Sequence, residues 1–377
     1  MNFGFTEEQE LLRSEVRKYL DENVPLEEVR KIADTPAGFS RETWKQIAEL
    51  GWLGLTIPES HGGAGLGFVD WVVVLEETGR SLLPTPLVSS TLAAQALCWA
   101  GSEAQQKRWL PALAEGTTIG TLALLEQSDS HDASGISLRA ESAAGDFTLR
   151  GEKLFVADAA AADLFVVSFR LGAGTEDGSD PVAFALVSRD QSGVSAQDVP
   201  GIDLTKRLGR LGLDGVRVSR EDILPGGGAA LLQRLVDAGA AAVSAEAIGA
   251  AEAALALTAG YAVERTQFGR PIGTFQGVKH PLAEMYVDIE SFKSLVCYAA
   301  WCLDEDHVDA SLAVSRAKAY ASEAFARIGL DAVQLHGGIG YTWEYDAQLF
   351  LKRAKWMRPM FGDADWHYER VARLGGL

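Results

Sequence analysis

Apolar residues near the start of the chain recur at helical spacing. Leu11, Leu12, Val16, Tyr19 and Leu20 follow Thr6-Glu7-Glu8-Gln9, a capping box in which the threonine oxygen accepts from a free helix N–H and Gln9 reaches back. The spacing predicts a helix over 7–21, and similar patterns predict helices over 40–50, 67–80, 89–99 and 103–113. Near Thr121 the texture changes to alternation. Short strands are expected at 121–125, 147–154, 164–169, 181–187, 193–197 and 214–218, separated by Gly, Ser and Asp clusters. From Ala229 an alanine-rich helical pattern returns, with long segments at 230–265, 275–303, 309–335 and 344–355 able to pack as a four-helix bundle. The fold class this predicts is α+β and multidomain. An N-terminal α-helical domain over 1–120 is followed by a small middle β-barrel or sandwich over 121–227 and a C-terminal four-helix bundle over 228–377.

Composition narrows the function classes. The chain has 377 residues, enough for two or three domains, and 47% hydrophobic with 23% charged residues is ordinary for a globular protein. The 34 basic and 52 acidic side chains give a formal charge of −18 with no basic stripe, which argues against nucleic-acid binding. Cys98, Cys297 and Cys302 form no CxxC pair and lie near no histidine cluster, so neither a disulfide framework nor a metal site is expected. The MNFGFTEEQELL start carries acid where a signal peptide needs positive charge, and no apolar run is read as approaching the ~20 residues of a membrane span. A cytoplasmic location is expected. The glycine-rich 51–67 connection lacks the strand–loop–helix context and following lysine of a phosphate loop.

The stretch from Tyr261 to Asp288 carries the most specific signal. A helix presenting Arg265 ends in Phe268-Gly269-Arg270-Pro271-Ile272-Gly273, a turn that no regular helix tolerates, and a second long helix restarts near Phe275. By itself this is equally a tight helix–helix connection with Arg265 on a solvated face.

Two motifs decide between those readings. R-x-Q-F-G followed by I-G-x-F-Q-x-x-K-x-x-x-A-E-M, with Arg265, Gln267, Phe268, Gly269, Gln276, Lys279, Ala283, Glu284 and Met285 in place, resembles the signature of the acyl-CoA dehydrogenase family. Gln334-Leu335-His336-Gly337-Gly338-Ile339-Gly340-Tyr341 resembles that family's Q-x-x-G-G-x-G-[FY] segment. The resemblance covers essentially the whole chain and implies the family fold, α then β then an α bundle. It also implies FAD as cofactor, an acyl-CoA substrate, an electron-transfer flavoprotein or similar acceptor, and a dimer-of-dimers tetramer. Fatty-acid or sterol side-chain β-oxidation is the expected setting.

In that family a carboxylate takes the α proton of the thioester and the β hydrogen leaves as hydride to the flavin. Each FAD lies between two subunits. The resemblance places Arg265, Phe268, Gln276, Gln334, His336, Gly337 and Gly338 in the half contributed by the adjacent subunit, where a guanidinium fork suits a diphosphate. The chain's own half departs further from the pattern. T-E-P-x-A-G-S-D corresponds to Leu125-Glu126-Gln127-Ser128-Asp129-Ser130-His131-Asp132, and W-I-T-N to Phe155-Val156-Ala157-Asp158. Phe155 can pack on a flavin ring, or it is an inward strand residue; Ala157 brings no hydroxyl. His131 and Asp237 correspond to substrate-binding positions, Asp237 on the CoA side. No metal is implied.

The base is absent from its usual places. Phe361 stands where the family carries its glutamate, and Gly239 and Ala240 occupy the alternative glutamate-arginine positions. Three carboxylates remain as candidates. Glu246 lies on the face of Gly239 about two turns on, or it is a carboxylate bonded to a neighbouring helix; Asp363 serves as base or caps the final helix; Asp237 lies ~200° round from the required face. His336 and His367 are read as hydrogen-bonded structural histidines. Three readings stay open: the base-lacking subunit of a hetero-oligomeric dehydrogenase, a homo-oligomeric dehydrogenase with an unusual base, and a non-catalytic binding or scaffold subunit.

Overall fold

The computed structural model describes residues 4–143, 146–172 and 181–377. In chain order the elements are α1 Glu7–Asn23, α2 Leu26–Ala33, α3 Arg41–Glu49, α4 Phe68–Arg80, α5 Leu87–Ala100, α6 Glu103–Ala114, β1 Gly120–Ala123, β2 Arg139–Ala143, β3 Asp146–Ala157, β4 Leu164–Leu171, β5 Val182–Ser188, β6 Val194–Val199, β7 Leu208–Val218, α7 Ala229–Glu264, β8 Thr266–Gln267, β9 Arg270–Pro271, α8 Gln276–Asp304, α9 Ala310–His336, α10 Ala347–Met357 and α11 Ala364–Gly375. The helix–sheet–helix order is the one expected. The pattern missed α2, which is eight residues long, the short and polar β2, and the first half of β7.

These elements pack into two compact units. One gathers residues 1–34, 68–84 and 240–377, the other residues 35–67 and 85–239.

In the first unit, the Thr6 capping box forms as read, with Gln9 N donating to Thr6 Oγ1 at 3.2 Å and Thr6 N to Gln9 Oε1 at 3.0 Å. Asp304, at the end of α8, accepts from the Phe68 and Val69 amides and so caps the free N-terminus of α4. α4 and α7 cross at glycines. A Cβ on Gly79 would sit 1.9 Å from Glu246 O, and one on Gly249 would sit 1.7 Å from Glu76 O, so only hydrogen fits at either place. α7 also corrects a sequence-level expectation. It is long and apolar enough to cross a membrane, because so many alanines dilute its polar residues, yet 72% of that window is buried inside the fold, as in a core helix.

The second unit holds a curled seven-stranded sheet in the order β1-β4-β2-β3-β7-β6, with β5 pairing β4. β4 is buried along nearly its whole length whereas β6 alternates, the difference between a strand covered on both faces and one with a solvated face. The β3–β7 pairing shifts register between Lys153 and Val156, a bulge that frees Leu154 and Phe155 from the ladder.

Candidate functional site

The end of α7 folds into a small hairpin. Thr266 pairs with Pro271 and Gln267 with Arg270, so Phe268 and Gly269 form a two-residue tip with φ of +53° and +78°. Positive φ at both tip residues is the mark of a type I′ turn, which ordinarily takes Asn or Gly first. Phe268 is instead 93% exposed, with an edge contact to Phe275 at 6.1 Å between ring centroids. Arg270 lies over the other ring, 4.2 Å from the Phe275 centroid. Arg265 anchors the hairpin through its backbone, with its amide donating to Tyr261 O and its carbonyl accepting from Ile272 N, both at 2.8 Å, while its side chain is exposed. Gln276 opens α8, also exposed.

The second motif lies beside the first. The Tyr261 ring is 4.5 Å from the His336 imidazole, and Tyr345 flanks His336 on another side at 4.7 Å. His336 is buried, its Nδ1–H donating to Ala332 O at 2.6 Å, and burial lowers its pKa below the ordinary value. Its imidazole therefore does not reach outward with the turn that follows, which corrects the expectation that His336 is part of a ligand grip. Gly337 has φ +64° and ψ −140°, a conformation essentially restricted to glycine. A Cβ at Gly337, Gly338 or Gly269 would meet nothing within 4 Å of this chain. The bare backbone at Gly338 is thus not required by packing within the chain. Gln334 is exposed just before the turn, and Tyr341 just after it is 84% exposed.

In the sheet unit, Phe155 sits in the β3 bulge at φ +52° and is 47% exposed. It is not the inward strand residue that alternation allows, since the bulge turns it out. The Ala157 carbonyl accepts from Thr121 Oγ1 at 2.6 Å, and Asp158 accepts from Ser89 Oγ at 2.6 Å. Glu126 turns inward. It accepts from Lys153 Nζ at 2.6 Å, from Ser137 N at 2.9 Å, from the Ser137 hydroxyl and from Leu138 N at 3.1 Å. With Arg170 donating to Ile136 O at 2.6 Å and Ala133 O at 2.5 Å, it pins the 126–138 loop that carries half-buried His131 and Asp132. Burial drives the Lys153 pKa down to about 8 despite its carboxylate partner. Asp237 is buried on α7 and accepts from Gln233 Nε2 at 3.2 Å.

The three candidate bases separate clearly. Asp363 is exposed and accepts from Trp366 N at 2.9 Å, so it caps α11, the structural alternative already in view. Glu246 is buried where α7 crosses α4, its own backbone facing Gly79. Phe361 is half-buried at φ +57°, its carbonyl accepting from His367 Nε2 at 3.0 Å. Among the described residues seven non-glycines have positive φ, and Phe155, Phe268 and Phe361 are three of them. A bulky aromatic in that region is a strained outlier, and each of the three falls on a motif position singled out in the sequence. Backbone strain was the signal that residue type alone did not carry.

Comparison with known proteins settles the family. The chain matches the N-terminal domain of acyl-CoA dehydrogenase over residues 6–117, the middle domain over 121–216 and the C-terminal domain over 226–375. The chain belongs to the acyl-CoA dehydrogenase family. Its fold is that of the family, and the activity class is oxidoreductase; family members are flavoproteins that dehydrogenate acyl-CoA thioesters. Among relatives, it is 34% identical to the acyl-CoA dehydrogenase IpdE2 of Mycolicibacterium smegmatis, over 95% of each chain. Among solved structures it is similar to the ChsE4-ChsE5 complex from Mycobacterium tuberculosis, with TM-score 0.91 and 29% identity over 100% of this chain and 99% of that one. It is similar too to a variant of the Tcur3481-Tcur3483 steroid ACAD, with TM-score 0.87 and 30% identity over 98% of each.

Proposed function

We propose that this acyl-CoA dehydrogenase family member is the base-lacking subunit of a hetero-oligomer, completing an FAD site whose other half, with the catalytic carboxylate, lies on a homologous subunit. One observation carries the reading. The chain spends backbone strain on an exposed Phe268 tip and leaves Gly337–Gly338 bare, yet puts Phe361 where the proton acceptor belongs.

The residues present fit the dinucleotide unequally. The exposed Arg265 guanidinium can fork onto a pyrophosphate, the Gly337–Gly338 backbone admits close approach, and Gln334 and Gln276 offer amide donors. In the chain's own half Phe155 offers a ring surface, whereas Ala157 has no side-chain donor and Glu126 is committed to Lys153. Bound flavin supplies the hydride acceptor for α,β-dehydrogenation. Arg265 and the glycine turn of this chain would hold and orient the cofactor, and the α proton would pass to a carboxylate of the other subunit.

The substrate in this proposal is an acyl-CoA thioester, of the fatty-acyl or sterol side-chain class. Similarity to the ChsE4-ChsE5 complex and to a steroid ACAD supports both the pairing and the sterol choice. An electron-transfer flavoprotein or similar protein would be the electron acceptor, and a dimer of dimers is the expected assembly. The test is to purify the chain alone and together with a base-carrying homologue, then measure flavin per chain and turnover. The proposal expects little flavin and no turnover from the lone chain, with both appearing in the pair at fewer flavins than subunits. A lone chain holding a full complement of flavin and turning over would reject it. Turnover of that kind lost on Glu246→Gln would point instead to an unusual base.

A further inference from the structure

A buried lysine lies under the segment that carries Phe361. Lys318, on α9, is completely enclosed, and its Nζ donates to Arg358 O at 2.9 Å, Gly362 O at 2.9 Å and Ser322 Oγ at 2.8 Å. The two carbonyls bracket the left-handed Phe361. Gly362 has φ +99°, and a Cβ there would meet the Trp366 ring at 2.4 Å, so the turn has little freedom to take another course. From α11, His367 holds another carbonyl of the turn, that of Phe361.

We propose that Lys318 is a positioning residue whose ammonium gathers the Arg358 and Gly362 carbonyls and thereby sets where Phe361 stands. Nothing in the proposed division of labour uses Lys318. The functional weight of the placement rests on reading Phe361 as the family's base position, but the placement itself does not.

The chemistry gives Lys318 a distinguishing readout. Among the described residues no carboxylate bonds it, and burial brings its pKa down to about 7, with Asp363 raising and Arg358 lowering it. The charged and titratable groups around the site are therefore Asp363, Arg358 with its partner Glu323, and His367. As an ammonium Lys318 has three N–H groups for three oxygens. As an amine it has two, and keeps both carbonyls only with ordinary hydrogen bonds and a reversed Ser322 hydroxyl. The segment should loosen as pH rises through that value without coming apart.

Hydrogen exchange at the Met360 and Gly362 amides, which bond within the turn to Met357 O and Pro359 O, reads this directly. After correction for intrinsic exchange, the intact protein should lose several-fold protection through about pH 7. Lys318→Met should lose about ten-fold at every pH and show no step. Asp363→Asn keeps the α11 cap but removes the attractive charge, moving the step down by roughly half a pH unit, and Arg358→Gln moves it up by a similar amount. These two variants carry the test if Lys318→Met does not fold. Unchanged protection in Lys318→Met, or a step that neither charge variant moves, overturns the proposal. Flavin content plays no part in this readout, so the subunit pairing stands or falls separately.

Discussion

The Tyr261 ring stacks on the His336 imidazole at 4.5 Å with a 35° tilt, and this contact joins the two ends from which the exposed motifs spring. Tyr261 precedes Arg265 by one helical turn, and His336 directly precedes Gly337. Burial lowers the His336 pKa, so the folded state takes up its proton less readily than the unfolded chain. The unfolded state then binds more protons below the ordinary value of 6.5, and His336 subtracts stability as pH falls through that range. The unfolding midpoint of the native protein should fall more between pH 7 and 5.5 than that of His336→Phe; equal slopes would remove this account of the stack.

Phe268 holds an unfavourable backbone conformation at an exposed tip. Replacing it with Asn, which suits the first position of a type I′ turn, relieves strain of about 1 kcal/mol. Phe268→Asn should therefore raise the unfolding midpoint of the lone chain by a few degrees while weakening its association with the base-carrying subunit. Calorimetry and gel-filtration titration of the two chains measure the two effects. A variant that is no more stable and associates as before would mean Phe268 has no role outside its own chain.

The α4–α7 crossing tolerates no side-chain carbon. Gly249→Ala would force a Cβ to within 1.7 Å of Glu76 O, contact with backbone that cannot swing aside. A loss of more than about 3 kcal/mol in denaturant unfolding is expected. Gly338→Ala, facing open space, should change stability by less than about 1 kcal/mol and act on flavin retention in the assembled pair.

Lys153 supplies a second pH dependence, of the same sign as that of His336 but in the alkaline range. Its pKa is lowered to about 8 by burial against the pull of Glu126, so between that value and the ordinary 10.5 the unfolded chain carries the extra proton. Stability from this group rises with pH across that window and is flat below it. The difference in unfolding free energy between native protein and Lys153→Met should grow from pH 8 to 10; a constant difference contradicts the depressed lysine.

Much of this architecture could be read from the chain before its coordinates. The four long C-terminal helices are evident because alanine-rich periodicity persists over several turns, and the Thr6 box announces α1 outright. β2 escaped notice because Arg139–Ala143 is short and polar-rich, held by its neighbours rather than its own pattern. The candidate site divides the same way. Arg265, Phe268 and the Gly337–Gly338 pair are legible as residue types in motifs. The Asp363 cap, made to Trp366 three residues on, is legible as an alternative too, whereas the inward turn of His336 and Glu126 and the outward bulge at Phe155 depend on contacts between segments distant in sequence. Lys318 gave no signal at all, since a lysine in an alanine-rich helix reads as a surface residue until its three oxygen partners are in view.

The central claim is that a guanidinium of this chain grips a cofactor that serves chemistry on the other subunit. Arg265 is exposed, so Arg265→Gln should leave the chain's own stability within about 0.5 kcal/mol of native. Losing a charge-assisted grip worth about 2 kcal/mol weakens flavin binding by roughly thirty-fold. The decisive measurement is the flavin dissociation constant of the assembled pair carrying Arg265→Gln on this chain alone. The account predicts that thirty-fold loss, with the pair still assembled; flavin held as tightly as in the native pair would contradict it.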